Sequence, residues 1–367
     1  MYKCHDLYAS PSLARIGMSE LLRGEFIAVL HNMKNKCDLV YSDIFSLENL
    51  YSAWSEFLVG KSSKPDVEEF SIHLIDNIVS LGEKLTDKTY LHGDYKSFFI
   101  NDPKRRHIHK ASVQDRLLHH AVYRKLYPHF DKIFIHDSYS CRLGKGVYKA
   151  IDRFDTFARK VGQNHTKTCW VLKCDIRKFF DSIDHEVLMA ILSVHISDKD
   201  ILWLLQNIID SYHGERRREA GLPLGNLTSQ LFGNVYMNIF DQWVKHVLKQ
   251  KYYIRYADDF VFLSQDKNEL HSLIQPISHF LCDRLHLELH PSKVTLESVF
   301  SGVDFLGWVR FPHHTILRRK TKERMFRKFV DNPKDEVFIS YLGLLSHGDT
   351  YNVEQELRNM HWLLSEA

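Results

Sequence analysis

The sequence lacks the features that mark secreted, membrane-spanning and zinc-binding proteins. Its six cysteines are scattered over 367 residues, and no two of them form a C-x-x-C pair. There is no signal-peptide pattern, and no apolar run reaches the roughly 18 residues that a transmembrane helix needs. These absences favour an intracellular, cytoplasmic protein with reduced thiols, no zinc site and no membrane partner.

The composition is that of an ordinary globular chain, with 44% hydrophobic and 26% charged residues. This length can enclose two or three subdomains, which is enough for a complete enzyme. The net charge is only +3, but basic residues cluster at 104–110, 216–218 and 318–328. A single charge run is usually a solvated face. Three runs that flank acidic motifs favour a polyanionic partner, because a phosphate backbone needs positive charge along a track.

Hydrophobic periodicity predicts an α-rich start and an α/β middle. Residues 46–87 indicate two helices separated by the linker GKSSKPD, the second with an apolar stripe that includes Phe70, Leu74, Ile75, Ile78 and Leu81. The run CWVLKCDI at 169–176 predicts a short strand, and a helix should begin after Asp184 as N-cap. Residues 228–249 predict a long amphipathic helix.

The stretch IRYADDFVFLS at 254–264 places two adjacent carboxylates, Asp258 and Asp259, between two β-favouring runs. This pattern is typical of a tight hairpin with the carboxylates at its turn. A lone Asp-Asp pair is usually only a turn signal. Here Asp175 closes another predicted strand, and three carboxylates at strand ends suit Mg²⁺. A pair of such ions could drive in-line displacement at phosphorus.

Six blocks in order resemble the reverse transcriptase family. CDIRKFF and YADDF resemble motifs A and C, GLPLGNLTSQ motif B, HLELHPSKV motif D and VDFLGW motif E, while NDPKRRHIHKASVQDRLLHHAV resembles the fingers block. The resemblance implies an α+β right-hand polymerase with fingers, a palm of antiparallel sheet with helices on one face, and a helical thumb. The expected divisions are an N-terminal helical extension and the start of the fingers at 1–95, fingers and palm at 96–310, and a thumb at 311–367.

The resemblance also assigns roles residue by residue. The metal ligands would be Asp175, Asp258, Asp259 and the Ile176 carbonyl, which hold two Mg²⁺ ions, with Mn²⁺ as an alternative; the three Asp residues would be catalytic. Nucleotide contacts would come from Lys104, Arg105, Arg106, Phe180, Leu224, Gly225, Gln230 and Lys293. Template and product contacts would come from Arg142, Lys145, Arg318, Arg319, Lys320 and Lys322.

Two of these assignments compete with ordinary structural roles. Phe180, five residues after Asp175, matches the aromatic residue that lies under the sugar and opposes a 2′-hydroxyl, although an isolated Phe is more often a core residue. Lys293 could donate a proton to the departing pyrophosphate or be only a surface lysine.

Motif B departs from the common Q-G-x-x-x-S-P, because Leu224 replaces the Gln and Gln230 replaces the Pro. This pair of changes resembles the reverse transcriptases of diversity-generating retroelements, which are bacterial, archaeal or phage-encoded. A Leu can pack but cannot donate or accept a hydrogen bond near the nascent base pair, so discrimination should fall. The resemblance implies error-prone copying of a structured template-repeat RNA into cDNA from dNTPs, with a small basic accessory protein that could be oligomeric.

Two other readings stay open. One is a phage-defence reverse transcriptase of an unassigned group, some of which share unusual motif B sequences. The other is an inactive RNA-binding scaffold on a polymerase fold, which the intact Asp175, Asp258 and Asp259 argue against.

Overall fold

The computed structural model describes residues 36–101, 105–214 and 219–365. These residues form two compact units, each built from separate stretches of the chain. The helical unit comprises the described part of residues 1–136 together with 176–251 and 277–291, and the sheet unit comprises 137–175, 252–276 and 292–365. Because this division follows contacts and not chain order, the boundaries expected at 95 and 310 stay predictions.

The helical unit consists of helices and one β-hairpin. In chain order it contains α1 (Tyr41–Phe45), α2 (Leu47–Leu58), α3 (Pro65–Ile72), α4 (Leu74–Thr86), β1 (Lys96–Ile100), β2 (Arg106–Lys110), α5 (Val113–Ile133), α7 (Phe179–Ser182), α8 (His185–His195), α9 (Lys199–Asp210), α10 (Leu227–His246) and most of α12 (Ile274–Leu285).

The sheet unit holds two antiparallel sheets and the remaining helices. Its elements are α6 (Val147–Val161), β3 (Trp170–Asp175), β4 (Tyr253–Tyr256), β5 (Asp259–Ser264), α11 (Lys267–Ser272), β6 (Thr295–Ser298), β7 (Val303–Phe305), β8 (Trp308–Arg310), β9 (Thr315–Leu317), α13 (Arg319–Asp331), α14 (Asp335–Leu345) and α15 (Tyr351–Ser365). The strand orders are β4-β5-β3-β6 and β7-β8-β9. The predicted α+β class with an antiparallel palm-type sheet is therefore confirmed.

Local signals placed several elements correctly. The strand predicted at 169–176 is β3, and α8 begins after Asp184, whose carboxylate accepts a hydrogen bond from the Val187 N–H at 3.1 Å. The predicted hairpin is β4 and β5, and the basic stretch from Arg318 lies largely in α13. These features depend on neighbouring residues, which a sequence pattern can capture.

The prediction of one continuous second N-terminal helix is wrong, because two helices, α3 and α4, occupy this stretch and meet at His73. His73 leaves the helical region with φ −114° and ψ 34°. The Asn77 side chain then donates to the carbonyl of Phe70 at 3.1 Å, which satisfies a carbonyl group at the end of α3. Ile75, which the single stripe placed inside, is 77% exposed.

The long helix α10 lies at the centre of the helical unit. Fifteen of its 20 residues are buried, including Asn238 and Asp241, so it is buried on most sides and not on one stripe as predicted. Its Trp243 ring stacks on Phe280 of α12 with centroids 4.3 Å apart. A helix enclosed in this way fixes the loop that precedes it, which carries motif B.

The core of the sheet unit lies between the four-stranded sheet and α6. Buried Phe154 of α6 packs in the same cluster as Val171 of β3 and Val261 of β5, and it stacks on Phe305 of β7 with centroids 5.2 Å apart. The smaller sheet and α13–α15 add Trp308, Phe329 and Leu345 to this cluster. The sheet that carries the acidic motifs is thus anchored on an apolar face.

Candidate active site

Two of the predicted catalytic carboxylates occupy facing positions in the sheet. β3 pairs with β5 antiparallel, and Asp175 is directly opposite Asp259. Asp259 is the first residue of β5, and it is also opposite Tyr256 of β4. Asp175 is only 7% exposed. Directly opposed residues lie about 4.5–5.5 Å apart, so the register brings these two acids together.

Asp258 lies in the two-residue turn between β4 and β5, and a buried arginine holds this turn. Arg255 is fully buried, and its guanidinium donates to the Ala257 carbonyl at 3.1 Å and to the Ser138 hydroxyl at 3.2 Å. Ala257 has φ 54°, which is uncommon for a non-glycine residue. Arg255 was not among the residues predicted to form the site. The available signal was one charged residue within the apolar run YYIRY.

The environment of Asp259 disfavours its ionised form. Burial raises its pKa to about 6; the nearby Lys173 ammonium opposes this rise, whereas the charges of Asp258 and Asp175 and a hydrogen bond with Asp175 add to it. Lys173, on the same face of β3 as Asp175, donates from Nζ to the Asp304 carbonyl at 2.8 Å. Three like charges in a partly desolvated place favour a counter-cation.

The motif D lysine forms a hydrogen-bonded ion pair with the motif A aspartate. Lys293 Nζ donates to Asp175 Oδ1 at 2.6 Å, with the Lys293 side chain 37% exposed. Its predicted role at the pyrophosphate is a different one, and it stays a prediction. The contact shows that Lys293 is not simply a solvated surface lysine.

The donor chemistry of this cluster suits a hard divalent ion, although its side chains are not arranged as a ready-made cage. Carboxylate oxygens are the ligands that Mg²⁺ prefers, and Mg²⁺ commonly uses one or two of them with water and substrate phosphates. Over the described ranges, no three His, Cys, Asp or Glu side chains are positioned together to hold a metal ion. Asp175 and Asp259, with Asp258 in the adjacent turn, therefore fit a site that a cation and substrate complete.

The predicted triphosphate contacts fall on the β1–β2 hairpin. Arg106 begins β2 opposite Ile100 and is exposed. Arg105 is also exposed, and its guanidinium lies over the Phe99 ring, 4.0 Å from the centroid. Lys104 lies outside the described residues, as does the basic run 216–218.

Phe180 lies half-buried in the short helix α7, next to fully packed Phe179. Both rings approach Gly233 of α10: a methyl group there would lie 3.3 Å from Phe179 and 3.4 Å from Phe180. The Phe180 carbonyl accepts a hydrogen bond from the Leu222 N–H at 2.8 Å, which ties motif A to the start of motif B. The partial exposure of Phe180 distinguishes it from its core neighbour.

The motif B loop is bonded to β2 on both sides of Gly225. The Leu224 carbonyl accepts from the His109 N–H at 3.1 Å, and the Asn226 side chain donates to the His109 carbonyl at 3.2 Å. Gly225 has φ 110°, and a methyl group there would lie 3.1 Å from Ile108. Leu224 is half-buried, and Gln230 is exposed in the first turn of α10.

Most residues predicted to contact nucleic acid already have partners within the sheet unit. Arg142 donates to the Ser138 carbonyl at 3.1 Å, and the Lys145 ammonium lies 5.0 Å from the centroid of the Tyr139 ring. Arg318 pairs with Asp304, Arg319 with Glu323 and Lys322 with Glu356. Lys320 is exposed and forms no ion pair among the described residues. The ion pairs of Arg318, Arg319 and Lys322 orient these side chains at the start of α13, and the role of the whole set stays a prediction.

Residues 100–310 match the family described as Reverse transcriptase (RNA-dependent DNA polymerase). This is more than half of the chain, so the chain belongs to the reverse transcriptase family and carries its polymerase domain. Membership agrees with the right-hand polymerase class expected from the motifs.

The chain is similar to protein YkfC of Escherichia coli K12, with 24% identity over 64% of this chain and 68% of that one. It is also similar to the group II intron-encoded protein LtrA of Lactococcus lactis subsp. cremoris, with 26% identity over 66% of this chain and 40% of LtrA. A structure of apo telomerase from Candida tropicalis aligns with 14% identity and a TM-score of 0.46 over 67% of this chain and 60% of that chain. The chain therefore spans less than half of LtrA and under two thirds of the telomerase chain.

None of the helices in the described ranges has both the length and the apolar character needed to cross a membrane.

Proposed function

We propose that this reverse transcriptase copies a structured template-repeat RNA into mutagenised cDNA as part of a diversity-generating retroelement. dNTPs would be its substrates, and a small basic accessory protein its partner. The observation that carries the mutagenic assignment is Leu224: an apolar side chain occupies a loop held by two hydrogen bonds to His109, at the position where the family commonly has an amide.

Catalysis by two metal ions is the chemistry that best suits the acidic cluster. Asp175, Asp258, Asp259 and the Ile176 carbonyl would hold two Mg²⁺ ions, with Mn²⁺ as an alternative. When bound, the ions would activate the primer 3′-hydroxyl and neutralise charge on the leaving pyrophosphate. The proximity of Asp175 and Asp259 supports this assignment, because a bound cation would offset the repulsion between neighbouring carboxylates.

The chain's own residues would position the nucleotide. Arg106 and Arg105, with Lys104, would bind the triphosphate; Arg can do so through bidentate hydrogen bonds. The exposed side of Phe180 would lie under the sugar and exclude a 2′-hydroxyl. Lys293 would be released from Asp175 and become available to the pyrophosphate, since a bound divalent cation would compete with its ammonium for the Asp175 carboxylate.

The motif B loop, which is hydrogen-bonded to β2, would fix the position of Leu224 beside the nascent base pair. A loop fixed to β2 holds Leu224 at a constant position, so the missing amide cannot be replaced by a shift of the loop. Wrong base pairs would then lose no hydrogen bond to the protein, and the difference in binding free energy between right and wrong pairs would shrink.

The catalytic assignment is tested by Asp258→Asn. We expect Mg²⁺-dependent primer extension on an RNA template to fall at least 100-fold, because a formal charge leaves the proposed metal site. RNA binding, measured by fluorescence anisotropy, should be retained. Asp283→Asn, at an exposed position of α12, is the matched control. Extension that survives in Asp258→Asn would reject the two-metal assignment.

A further inference from the structure

A polar pocket of about 370 Å³ lies in the sheet unit, away from the acidic motifs. The end of α6, the loop that follows it and the turn between β8 and β9 line it; Val299, just after β6, also lines it. Ser298 pairs with Trp170, at the opposite end of β3 from Asp175. Five residues of strand separate these two ends, which is roughly 17 Å. The pocket is therefore a separate feature of the sheet unit.

The carboxylates that line this pocket are already paired. Asp155 receives two hydrogen bonds from the Arg310 guanidinium, one of them at 2.9 Å, and Asp349 accepts from the Thr315 N–H at 2.7 Å. The guanidinium neutralises Asp155, whereas Asp349 gains a hydrogen bond and keeps its charge. The basic groups that remain in the lining, Arg159 and the imidazoles, are the groups that could bind an anion.

Three basic side chains of the lining have hydrogen-bond donors that no described protein group accepts from. Arg159, His165 and His313 make no side-chain hydrogen bond or ion pair within the part of the chain that the structure describes. The His165 and His313 rings meet edge to face with centroids 5.2 Å apart. Unpaired cationic and imidazole donors on one concave surface fit an anion with several oxygens, and a phosphate group has this character.

A strained backbone presents one of these donors. Gln163, Asn164 and His165 have φ values of 48°, 56° and 65°, three successive left-handed residues without a glycine. Residues with a side chain are less stable in this conformation than in right-handed backbone. The turn is held by the Asn164 N–H, which donates to the Arg159 carbonyl at 2.8 Å. Strain of this kind is typical of functional positions, where it fixes a side chain in place.

The same pocket offers an aromatic surface. The rings of Phe311 and His314 stack with centroids 4.3 Å apart and an interplanar angle of 8°. His314 is exposed, so one more planar group can extend the stack. Proteins bind single-stranded nucleic acids through this combination of rings that stack on bases and cationic side chains that contact phosphates.

We propose that this pocket binds one nucleotide of a single-stranded RNA, with its phosphate at Arg159, His165 and His313 and its base on His314. The proposal rests on the proposed function, because an enzyme that copies a structured RNA must hold template outside its catalytic centre. The volume lies within the range of small-ligand sites, about 300–1,000 Å³.

The test is a crosslinking experiment on the full chain with a 12-nucleotide RNA that contains 4-thiouridine. Adducts are mapped by mass spectrometry, and we expect them on the Phe311–Thr315 segment. Arg159→Gln and His313→Gln should each lower their yield about tenfold, the effect of one charge-assisted contact. Lys160→Gln removes a neighbouring exposed charge that does not line the pocket, and it should change the yield less than twofold.

Other outcomes would overturn the proposal. Equal losses in Lys160→Gln would show a general charge effect, and adducts only on other segments would show that RNA binds elsewhere. AMP and inorganic phosphate are tested by ³¹P line broadening. If the pocket variants lose this broadening but keep their RNA adducts, the pocket takes a free phosphate. Adducts should persist in Asp258→Asn, which should lose extension. Adducts on the parent chain without any extension by the parent would reject the proposed function and not the pocket.

Discussion

Lys293 Nζ lies 2.6 Å from Asp175 Oδ1, so the motif D lysine neutralises the motif A carboxylate across 118 residues of sequence. A divalent cation at Asp175 must compete with this ammonium. Because the Lys293 side chain is 37% exposed, water screens the pair, and its contribution should stay within about 1 kcal/mol. We therefore expect the contact to weaken metal binding without preventing it.

Lys293→Met should lower the Mg²⁺ concentration for half-maximal extension about two- to fivefold, because the competing charge is removed. The measurement is a Mg²⁺ titration at saturating dNTP, with maximal rate recorded separately. That rate should fall if Lys293 also protonates pyrophosphate. Lys334→Met, at an exposed lysine of the sheet unit, is the control. An unchanged or higher Mg²⁺ requirement would contradict the competition.

Asp259→Asn should stabilise the protein above pH 6 in the absence of divalent cations. The pKa of Asp259 is about 6 in the folded chain, above its ordinary 3.8, so folding binds a proton between these values. The ionised carboxylate thus costs stability above pH 6, by at most about 3 kcal/mol, and this cost disappears as the pH falls towards 4.

Urea unfolding of both proteins at pH 4, 6 and 8 measures this effect. The difference should be near zero at pH 4 and largest at pH 8, and added Mg²⁺ should stabilise the parent more than Asp259→Asn. Asp283→Asn supplies the control for loss of an exposed carboxylate. A difference that does not vary with pH would assign the effect to packing.

Features that depend on neighbouring residues could be predicted from the sequence. The strand that ends at Asp175, the N-cap at Asp184 and the hairpin turn at Asp258 each follow from residue types within a few positions. Local hydrogen bonding and side-chain alternation largely determine them. The predicted catalytic acids accordingly fall at adjoining strand ends.

Long-range contacts could not be predicted in the same way. Arg255 is buried beside Ser138, which lies more than 100 residues earlier and accepts a hydrogen bond from it. The hydrogen bonds between His109 and the Leu224 loop likewise join distant segments. Periodicity cannot reveal which distant surfaces meet. The role of motif B could therefore be predicted, but the hydrogen bonds that hold its loop could not.

Phe180→Ala should admit ribonucleotides into the product, because it removes the bulk that would oppose a 2′-hydroxyl. Alkali sensitivity of the extended strand measures incorporation, and we expect at least a tenfold rise. The stability cost should be below the roughly 3–5 kcal/mol of a fully buried Phe, since Phe180 is half-buried.

The matched control is Phe179→Leu, which alters the adjacent buried ring that also packs against Gly233. It should lower thermal stability without a change in sugar selection. Unchanged ribonucleotide use in folded Phe180→Ala would assign Phe180 to packing alone.

Leu224→Gln should lower misincorporation opposite template adenine more than opposite other bases, with correct extension still measurable. A buried amide that a wrong pair leaves unpaired costs about 1–3 kcal/mol, roughly a tenfold to hundredfold change in error ratio. Sequencing cDNA made from one template gives the error rates. Leu227→Gln, the same change three residues later at the half-buried start of α10, should leave them unaltered. Equal adenine error rates in Leu224→Gln and its parent would make Leu224 a packing residue, and the source of mutagenic copying would have to lie elsewhere in the chain or its partners.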